Sequence, residues 1–513
     1  MLAFYRRSLL VTFALWCCLA VSVDSASNSS AALVASNTCQ QLVSTLGSSI
    51  VQSQSSGSEY TVGANGAWSV FNQEENFLPT CIVFVNSTED VQTAMKTIFD
   101  NKSEYAVQAG GHSAMTGWNT VTDGVLISFM NMNATSYDEE KDTITMQPGI
   151  LWGAAMTLME TFGVAPVGGR ITNVGTGLML GGGLSYLSPA FGYAADNYVS
   201  LDVVLVNGTM VTATVDNEYS DLFKALKGGG NRFGIVTRYE VQAAHVGTAQ
   251  DKIYWGGIAL YPNSSAEAVL TAIAHFSRDT NNTNAVLATD FISVWSNSSV
   301  PELTIQLEMN YNGSVEGFNE SFAEFLSIPY TSASFGPLSY SDLVNEVSFP
   351  DGQGNLFGGS VLEGIASASN SSVDAYLETF QLFNNFSMTF ASSSDVSSTL
   401  LSFTPVLESQ IQYGYAKGGN AISPPMNGGF NEVLFGVTFS QGVTQVPDDI
   451  QQGREFFLSN APSTPGLPLF INECDANQLV FASYGGYEFL QEVYSKYDPT
   501  GFNIQYTQGP VGL

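Results

Sequence analysis

Apolar and polar positions change their period several times along the chain. Residues 81–85, CIVFV, form an unbroken β-branched and aromatic run, the pattern of a short buried strand. In STEDVQTAMKTIFD (87–100), Val91, Met95 and Ile98 fall on one face behind a Ser87 or Thr88 cap, with Glu89 and Asp90 in the first turn. That combination predicts an amphipathic helix. YAVQAGGHS (105–113) returns to strand character and runs into a glycine turn. Strand, helix, strand is a βαβ unit, which binds ligands at the loops beyond the carboxyl ends of its strands.

LDVVLVNGTMVTAT (201–214) places Asn207-Gly208 between two β-prone runs, a strong hairpin signal. DLFKALKGGGNRFGIVTRYEVQAA (221–244) reads as a helix ended by three glycines, then a strand from Ile235 to Val241. The region 77–247 is therefore α+β and dense in glycine. From 248 to 465 the texture changes to alternating strands such as ELTIQLEMNY (302–311) and helical stretches such as SSVDAYLETFQLF (371–383), which predicts a second domain. Residues 466–513 hold a helix around GGYEFLQEVYSKYDP (485–499) and a tail able to close either domain.

Composition narrows the class. The 46 Asp plus Glu against 15 Lys plus Arg give a net charge of -31, which repels phosphate backbones and anionic headgroups and argues against nucleic acid and membrane partners. Residues 1–25 carry Arg6 and Arg7, an apolar run from Leu9 to Val23 and small residues suited to cleavage, so they read as a signal peptide. The mature chain, starting with a segment 26–76, is expected to be secreted, soluble and monomeric. Cys39, Cys81 and Cys474 remain after cleavage, allowing one bridge, for which Cys39 with Cys81 is expected. Twelve Asn-x-Ser/Thr sequons, among them Asn86, Asn133 and Asn385, agree with an exported glycoprotein.

Candidate chemistry concentrates in glycine clusters. In GGRITNVGTGLMLGGGLSYLSPAFGYAADN (168–197), Gly175 and Gly177 begin like a dinucleotide fingerprint, but the third glycine stands at 181 and the segment does not open an N-terminal βαβ unit, which disfavours a Rossmann fold. Glycines still let successive backbone N–H groups converge on one anion. GGH at 110–112 and KGGGNRFG at 227–234 share that logic, and with so few cations a bound diphosphate would be neutralised mostly by backbone dipoles. His245 and His275 form no pair at ligand spacing, so no metal site is expected. Ser113 and Ser185 lie outside any G-x-S-x-G elbow.

AGGHS (109–113), VGTGLMLGGGLSYLSPAFGYAADN (174–197), VVLVNG (203–208), LKGGGNRFGIVTRYEV (226–241) and SKYDPTGF (495–502), in this order, resemble the FAD-binding domain shared by p-cresol methylhydroxylase and vanillyl-alcohol oxidase, and within it the berberine bridge enzyme-like branch. The resemblance implies an α+β, two-subdomain FAD-binding domain over 77–247, an α+β substrate domain built on an antiparallel sheet over 248–465, and a C-terminal segment, 466–513, returning to the FAD domain. It implies flavin bonded through its C8 methyl to His112. Ile171 stands where many relatives have a second, cysteine tether, so a single attachment is expected. Val174 aligns with the small residue that leaves room for O2. FAD contacts are implied at Gly110, Gly111, His112, Ser113, Gly117, Gly169, Val174, Gly175, Gly177, Gly181, Gly182, Ser185, Gly192, Asn197, Gly234, Ile235 and Val236.

The implied activity is an oxidase that moves hydride from an alcohol or amine carbon of a metabolite or sugar to FAD, with O2 as acceptor. A dehydrogenase or oxidative cyclase with poor O2 use, and a non-catalytic glycoprotein of the same fold, are the alternatives. Relatives often carry the catalytic base as Tyr in an Asn-Tyr-x-Asp segment; here the segment is NECD, 472–475, with Glu473 in that place. Either Glu473, desolvated and raised in pKa, is the base, or Tyr484 or Tyr487 takes that role.

Overall fold

The βαβ unit predicted around residues 81–108 forms, with one addition. Strands Cys81–Phe84 and Tyr105–Gln108 are not neighbours; Val125–Ser128 lies between them and pairs in parallel with both. Val51–Gln52 adds an antiparallel edge, completing a four-stranded sheet. The helix, Thr88–Asn101, is capped by Ser87, whose hydroxyl accepts from the Asp90 N–H at 3.2 Å. Its buried residues Val91, Met95 and Ile98 pack with Val83 and Ile127 of the sheet, as their spacing requires.

These statements come from a computed structural model that describes residues 24–295, 300–345 and 351–513, and of 24–29 the backbone only. Residues 1–23 of the expected signal peptide lie outside the described residues. A helix, Asp24–Leu46, carries Cys39, which is bonded to Cys81 as expected. Cys474 is a buried free thiol.

A six-stranded sheet follows. The hairpin at Asn207-Gly208 joins Tyr198–Val204 to Met210–Thr214, and Gly208 has φ +83°, the left-handed turn position. The central strand runs longer than its predicted core, Ile235–His245, and pairs with Tyr198–Val204, Thr143–Met146 and Val164–Pro166.

The third sheet has seven antiparallel strands in the order Ser332–Leu338, Tyr254–Tyr261, Glu302–Asn312, Ala285–Val294, Val396–Val406, Phe430–Phe439, Asn355–Glu363. Side chains alternate across it. Leu287, Phe291, Ile305, Leu307, Leu401, Phe403, Val433 and Phe435 face helices Ala266–Asp279, Asp374–Thr389 and Asp448–Asn460 in one apolar core. The opposite face, with Ala288, Asp290, Glu308, Leu400, Ser402 and Leu434, roofs a cavity.

The last residues pack onto the glycine-rich α+β region. Arg232 donates to Asn503 Oδ1 at 2.7 Å and to the Pro510 carbonyl at 2.9 Å, Asn503 bonds Tyr105, and Asp221 pairs with Lys496 at 2.6 Å. No described helix is long and apolar enough to cross a membrane.

Candidate active site

The cavity, of about 310 Å³, runs from the ends of the two smaller sheets, past the glycine clusters, to the antiparallel roof. GGH sits at its wall because its turn is pinned: the Gly111 carbonyl accepts from the Trp68 N–H at 3.0 Å and the Asn119 amide at 2.8 Å. Gly111 has φ +71° and its Cβ would lie 2.4 Å from the Gly66 carbonyl oxygen, so only glycine fits. Asn72 fixes the next turn by bonding the Ser113 and Met115 carbonyls and the Gly117 N–H. His112, thus placed, lies flat against Trp68 and lines the cavity. Its Nε2 is buried with no hydrogen-bond partner among the described residues, and burial lowers the imidazole pKa from 6.5 to about 4.

The glycine segment crosses GGH closely. A Cβ on Gly110 would lie 2.6 Å from Gly175 Cα, and one on Gly175 2.5 Å from the Gly110 nitrogen. Gly177 is different: nothing lies within 4 Å of where its Cβ would be, and it lines the cavity. An unpartnered imidazole nitrogen and bare backbone facing open space fit a flavin dinucleotide. Arg170 is the one guanidinium, and no lysine stands among the described lining residues, so a diphosphate there would rely on backbone N–H groups and neutral side-chain donors rather than on cations.

Of the residues expected at the site, Gly110, Gly111, His112, Ser113, Gly169, Val174, Gly175, Gly177, Gly181, Gly234, Ile235, Val236 and Glu473 line the cavity. Gly117, Gly182, Ser185, Gly192 and Asn197 lie outside its lining. Asn197 donates to the Phe191 and Tyr193 carbonyls and Ser185 accepts from the Leu187 N–H, so both hold turns. Gly192 bends the chain at φ +71° beside Asp196, and Gly182 packs on Ile422. Tyr484 and Tyr487 also lie outside the lining. The Tyr484 hydroxyl is buried near Cys474 and Glu432, which with desolvation hold its pKa well above the ordinary value.

Glu473 is carried in by Asn472, whose amide donates to the Leu178 carbonyl at 2.9 Å and whose Oδ1 would collide with any Cβ on Gly181. Its Oε1 lies 3.3 Å from Arg170 Nη2, while Arg170 Nη1 donates to Thr404 Oγ1 at 3.1 Å. Burial raises the Glu473 pKa, Arg170 opposes that and Asp290 adds to it. Asp290, bonded by Ser402, is raised chiefly by burial. Glu308 accepts from the Tyr186 hydroxyl at 2.7 Å.

Sequence reasoning missed Trp68, Arg170, Asp290 and Glu308. Arg170 stood in the quoted glycine segment and Glu308 in the quoted strand, but a polar residue on the alternate face of a strand reads equally as facing water or a cavity.

The cavity lies between a glycine-rich α+β region and an antiparallel roof. Residues 79–214 match the family model described as FAD binding domain. An uncharacterized FAD-linked oxidoreductase of Arthroderma benhamiae is 37% identical over 201 residues, 39% of each chain, so the match spans about two fifths of that relative. The FAD-dependent monooxygenase sdcF of Emericella nidulans is 27% identical over 84% of this chain and 90% of its own. Berberine bridge enzyme from Eschscholzia californica superposes with TM-score 0.71 at 16% identity, covering 93% of this chain and 99% of that one. 6-Hydroxy-D-nicotine oxidase from Arthrobacter nicotinovorans gives 0.70 at 21%, covering 88% and 95%. Residues 79–214 thus carry an FAD-binding domain, and the fold of the chain is that of berberine bridge enzyme and 6-hydroxy-D-nicotine oxidase.

Proposed function

We propose that the protein is a secreted oxidase that holds FAD through one covalent bond to His112 and oxidises an alcohol or amine carbon of a small molecule. The observation that carries this reading is His112 Nε2, unpartnered, neutral and facing a glycine-lined cavity. Held there, a flavin would supply a two-electron acceptor for a substrate C–H bond, with O2 as the oxidant that would take those electrons on to H2O2. Ile171 and Val174 line the same cavity; isoleucine offers no second tether, and the small Val174 side chain would leave room for O2 near a bound flavin. Glu473 takes the substrate O–H or N–H proton, because it is the one expected base that lines the cavity. Phe357, Leu400 and Leu434 exclude water from that proton transfer. The Cys39–Cys81 bridge supports export, and the small-molecule reaction needs no partner chain.

The test is acid precipitation of the purified protein followed by peptide mass analysis. Flavin on the peptide containing His112, lost in His112→Ala, is the expected result. Yellow supernatant over a colourless pellet overturns the tether, and protein without flavin overturns the whole reading. Peroxide release with a panel of alcohols and amines then decides oxidase against dehydrogenase.

A further inference from the structure

Close to Glu473, and outside the cavity lining, lies a second buried acid. Glu432, on strand Phe430–Phe439, is 2% exposed and stands directly opposite Thr404 of strand Val396–Val406. Opposite residues of antiparallel strands put their side chains on one face, close together. Thr404 Oγ1 accepts from Arg170 Nη1 at 3.1 Å, and Arg170 Nη2 donates to Glu473 Oε1 at 3.3 Å, so one guanidinium spans from Glu473 to the neighbour of Glu432. Val361, opposite Glu432 on the other adjacent strand, and Phe430 and Leu434, two positions away along its own, share that face and are apolar.

Three buried polar groups in this region lack partners. Glu432 Oε2, the Tyr193 hydroxyl and the Tyr484 hydroxyl each have no hydrogen-bond partner among the described residues, and the three groups feel one another's charge. Ile422 joins the segments that carry the two phenols: it packs with Tyr193 around Gly182, and its carbonyl accepts at 3.1 Å from the N–H of Gly485, next to Tyr484. The turn that carries Glu473 passes beside both, its Phe470 backbone near Glu432 and its Ile471 backbone near Tyr484. Native interiors rarely leave such groups unpaired, so their convergence marks a site for a shared proton and an enclosed water.

Charge decides which acid is ionised. Arg170 is bonded to Glu473, whereas Glu432 makes no ion pair among the described residues, and the titratable groups around it, Glu473, Tyr193, Tyr484 and Cys474, include no cation. A buried carboxyl without a cation keeps its proton, and the charge on Glu473 reinforces that. Two carboxyls within reach of each other ionise in order, the arginine-bound one first. A neutral Glu432 can also donate to a phenol oxygen or to a water among them.

We propose that Glu473 and Glu432 act as a proton-sharing pair, in which arginine-bound Glu473 is the ionised member that receives the substrate proton and Glu432 is a positioning residue that stays neutral beside Tyr193 and Tyr484. The proposal rests on the reading of Glu473 as the base.

Infrared spectra of the flavin-containing protein in D2O, taken as wild-type minus variant differences, test it. At neutral pH the carbonyl band of a neutral carboxylic acid is expected to be lost in Glu432→Gln and kept in Glu473→Gln. With the neighbouring charge gone, that band in Glu473→Gln should bleach at a pH at least about one unit lower than in wild type. A band lost in Glu473→Gln and kept in Glu432→Gln, no band in wild type, or bleaching at the same pH in wild type and Glu473→Gln overturns the pair. The neutral-pH result from either variant is decisive if the other fails to fold. Turnover is read separately: an inactive Glu473→Gln with the wrong band pattern overturns the pair only, and an active Glu473→Gln with the expected bands overturns the base reading while leaving Glu432 the neutral member.

Discussion

The indole of Trp68 lies on the imidazole of His112, ring centroids 4.0 Å apart and 9° from parallel. The same residue's backbone N–H bonds the Gly111 carbonyl, so Trp68 fixes both the plane of the imidazole and the turn that carries it. Trp68→Ala frees the ring and leaves a void that costs about 3–5 kcal/mol. Flavin retained on acid-precipitated protein should fall, and thermal unfolding should occur at lower temperature. Trp68→Phe, which keeps a stacking face, should recover most of the tethering. Unchanged tethering in Trp68→Ala would show that the stack is only packing.

Burial of His112 sets a pH window. An ordinary histidine is about nine-tenths protonated near pH 5.5, and a protonated imidazole is no nucleophile. With its pKa lowered to about 4, His112 stays neutral across that range. Protein produced under flavin limitation and then given FAD should form the covalent bond about equally well near pH 5.5 and 7.5. The linkage has the opposite sign for stability. The unfolded histidine binds its proton at 6.5 and the folded one only near 4, so flavin-free protein loses stability as pH falls from 6.5 toward 4. His112→Gln should lack that part of the acid dependence in thermal melts.

Two glycines of one motif should behave differently. Gly175→Ala drives a methyl into the Gly110 backbone, which has no side chain to swing aside, and should cost about 1–3 kcal/mol together with flavin binding. Gly177→Ala meets no protein atom and should fold at least as well as wild type, helix propensity adding up to about 1 kcal/mol. If the space beside Gly177 belongs to the cofactor, that stable variant should still bind less flavin. The ratio of flavin to protein absorbance, read beside the melting temperature, separates the two effects.

The Cys39–Cys81 bridge ties helix Asp24–Leu46 to the first strand of the four-stranded sheet across a sequence separation of 42. Closing a loop of that length restricts the unfolded chain by about 4 kcal/mol. Cys81→Ser should lower the midpoint of denaturant unfolding accordingly, with the flavin content of folded protein unchanged, since neither cysteine lines the cavity.

Local elements were legible in the sequence where one physical rule dominated. The Ser87 cap, the Asn207-Gly208 turn and the alternation of 302–311 each fix their own geometry within a few residues. What could not be read was which elements become neighbours. Val125–Ser128 entering between the two strands of the βαβ unit depends on long-range pairing that no local pattern encodes. For the same reason Asp290 and Glu308 looked like ordinary polar positions until the roof closed over them. Gly117 and Asn197, expected at the cofactor, sit in turns outside the cavity lining, because a motif marks a backbone shape without separating contact from support.

Of Glu473, Tyr484 and Tyr487, the candidates for the base, Glu473 is the one that lines the cavity, and a base must reach the proton it removes. Glu473→Gln keeps the shape and the Asn472 anchor while removing the proton acceptor. Turnover should drop by about 10²–10⁴-fold with flavin content and spectrum preserved. Tyr484→Phe and Tyr487→Phe should stay close to wild-type turnover. The sign of the pH dependence follows from the raised carboxyl. Burial lifts Glu473 above its ordinary value of 4.5, so kcat/KM should climb with pH through a limb that begins above that value, as the acid gives up its proton. That limb should vanish in Glu473→Gln. If it persists there and disappears in Tyr484→Phe, the proton leaves through the phenol and the assignment of Glu473 is wrong.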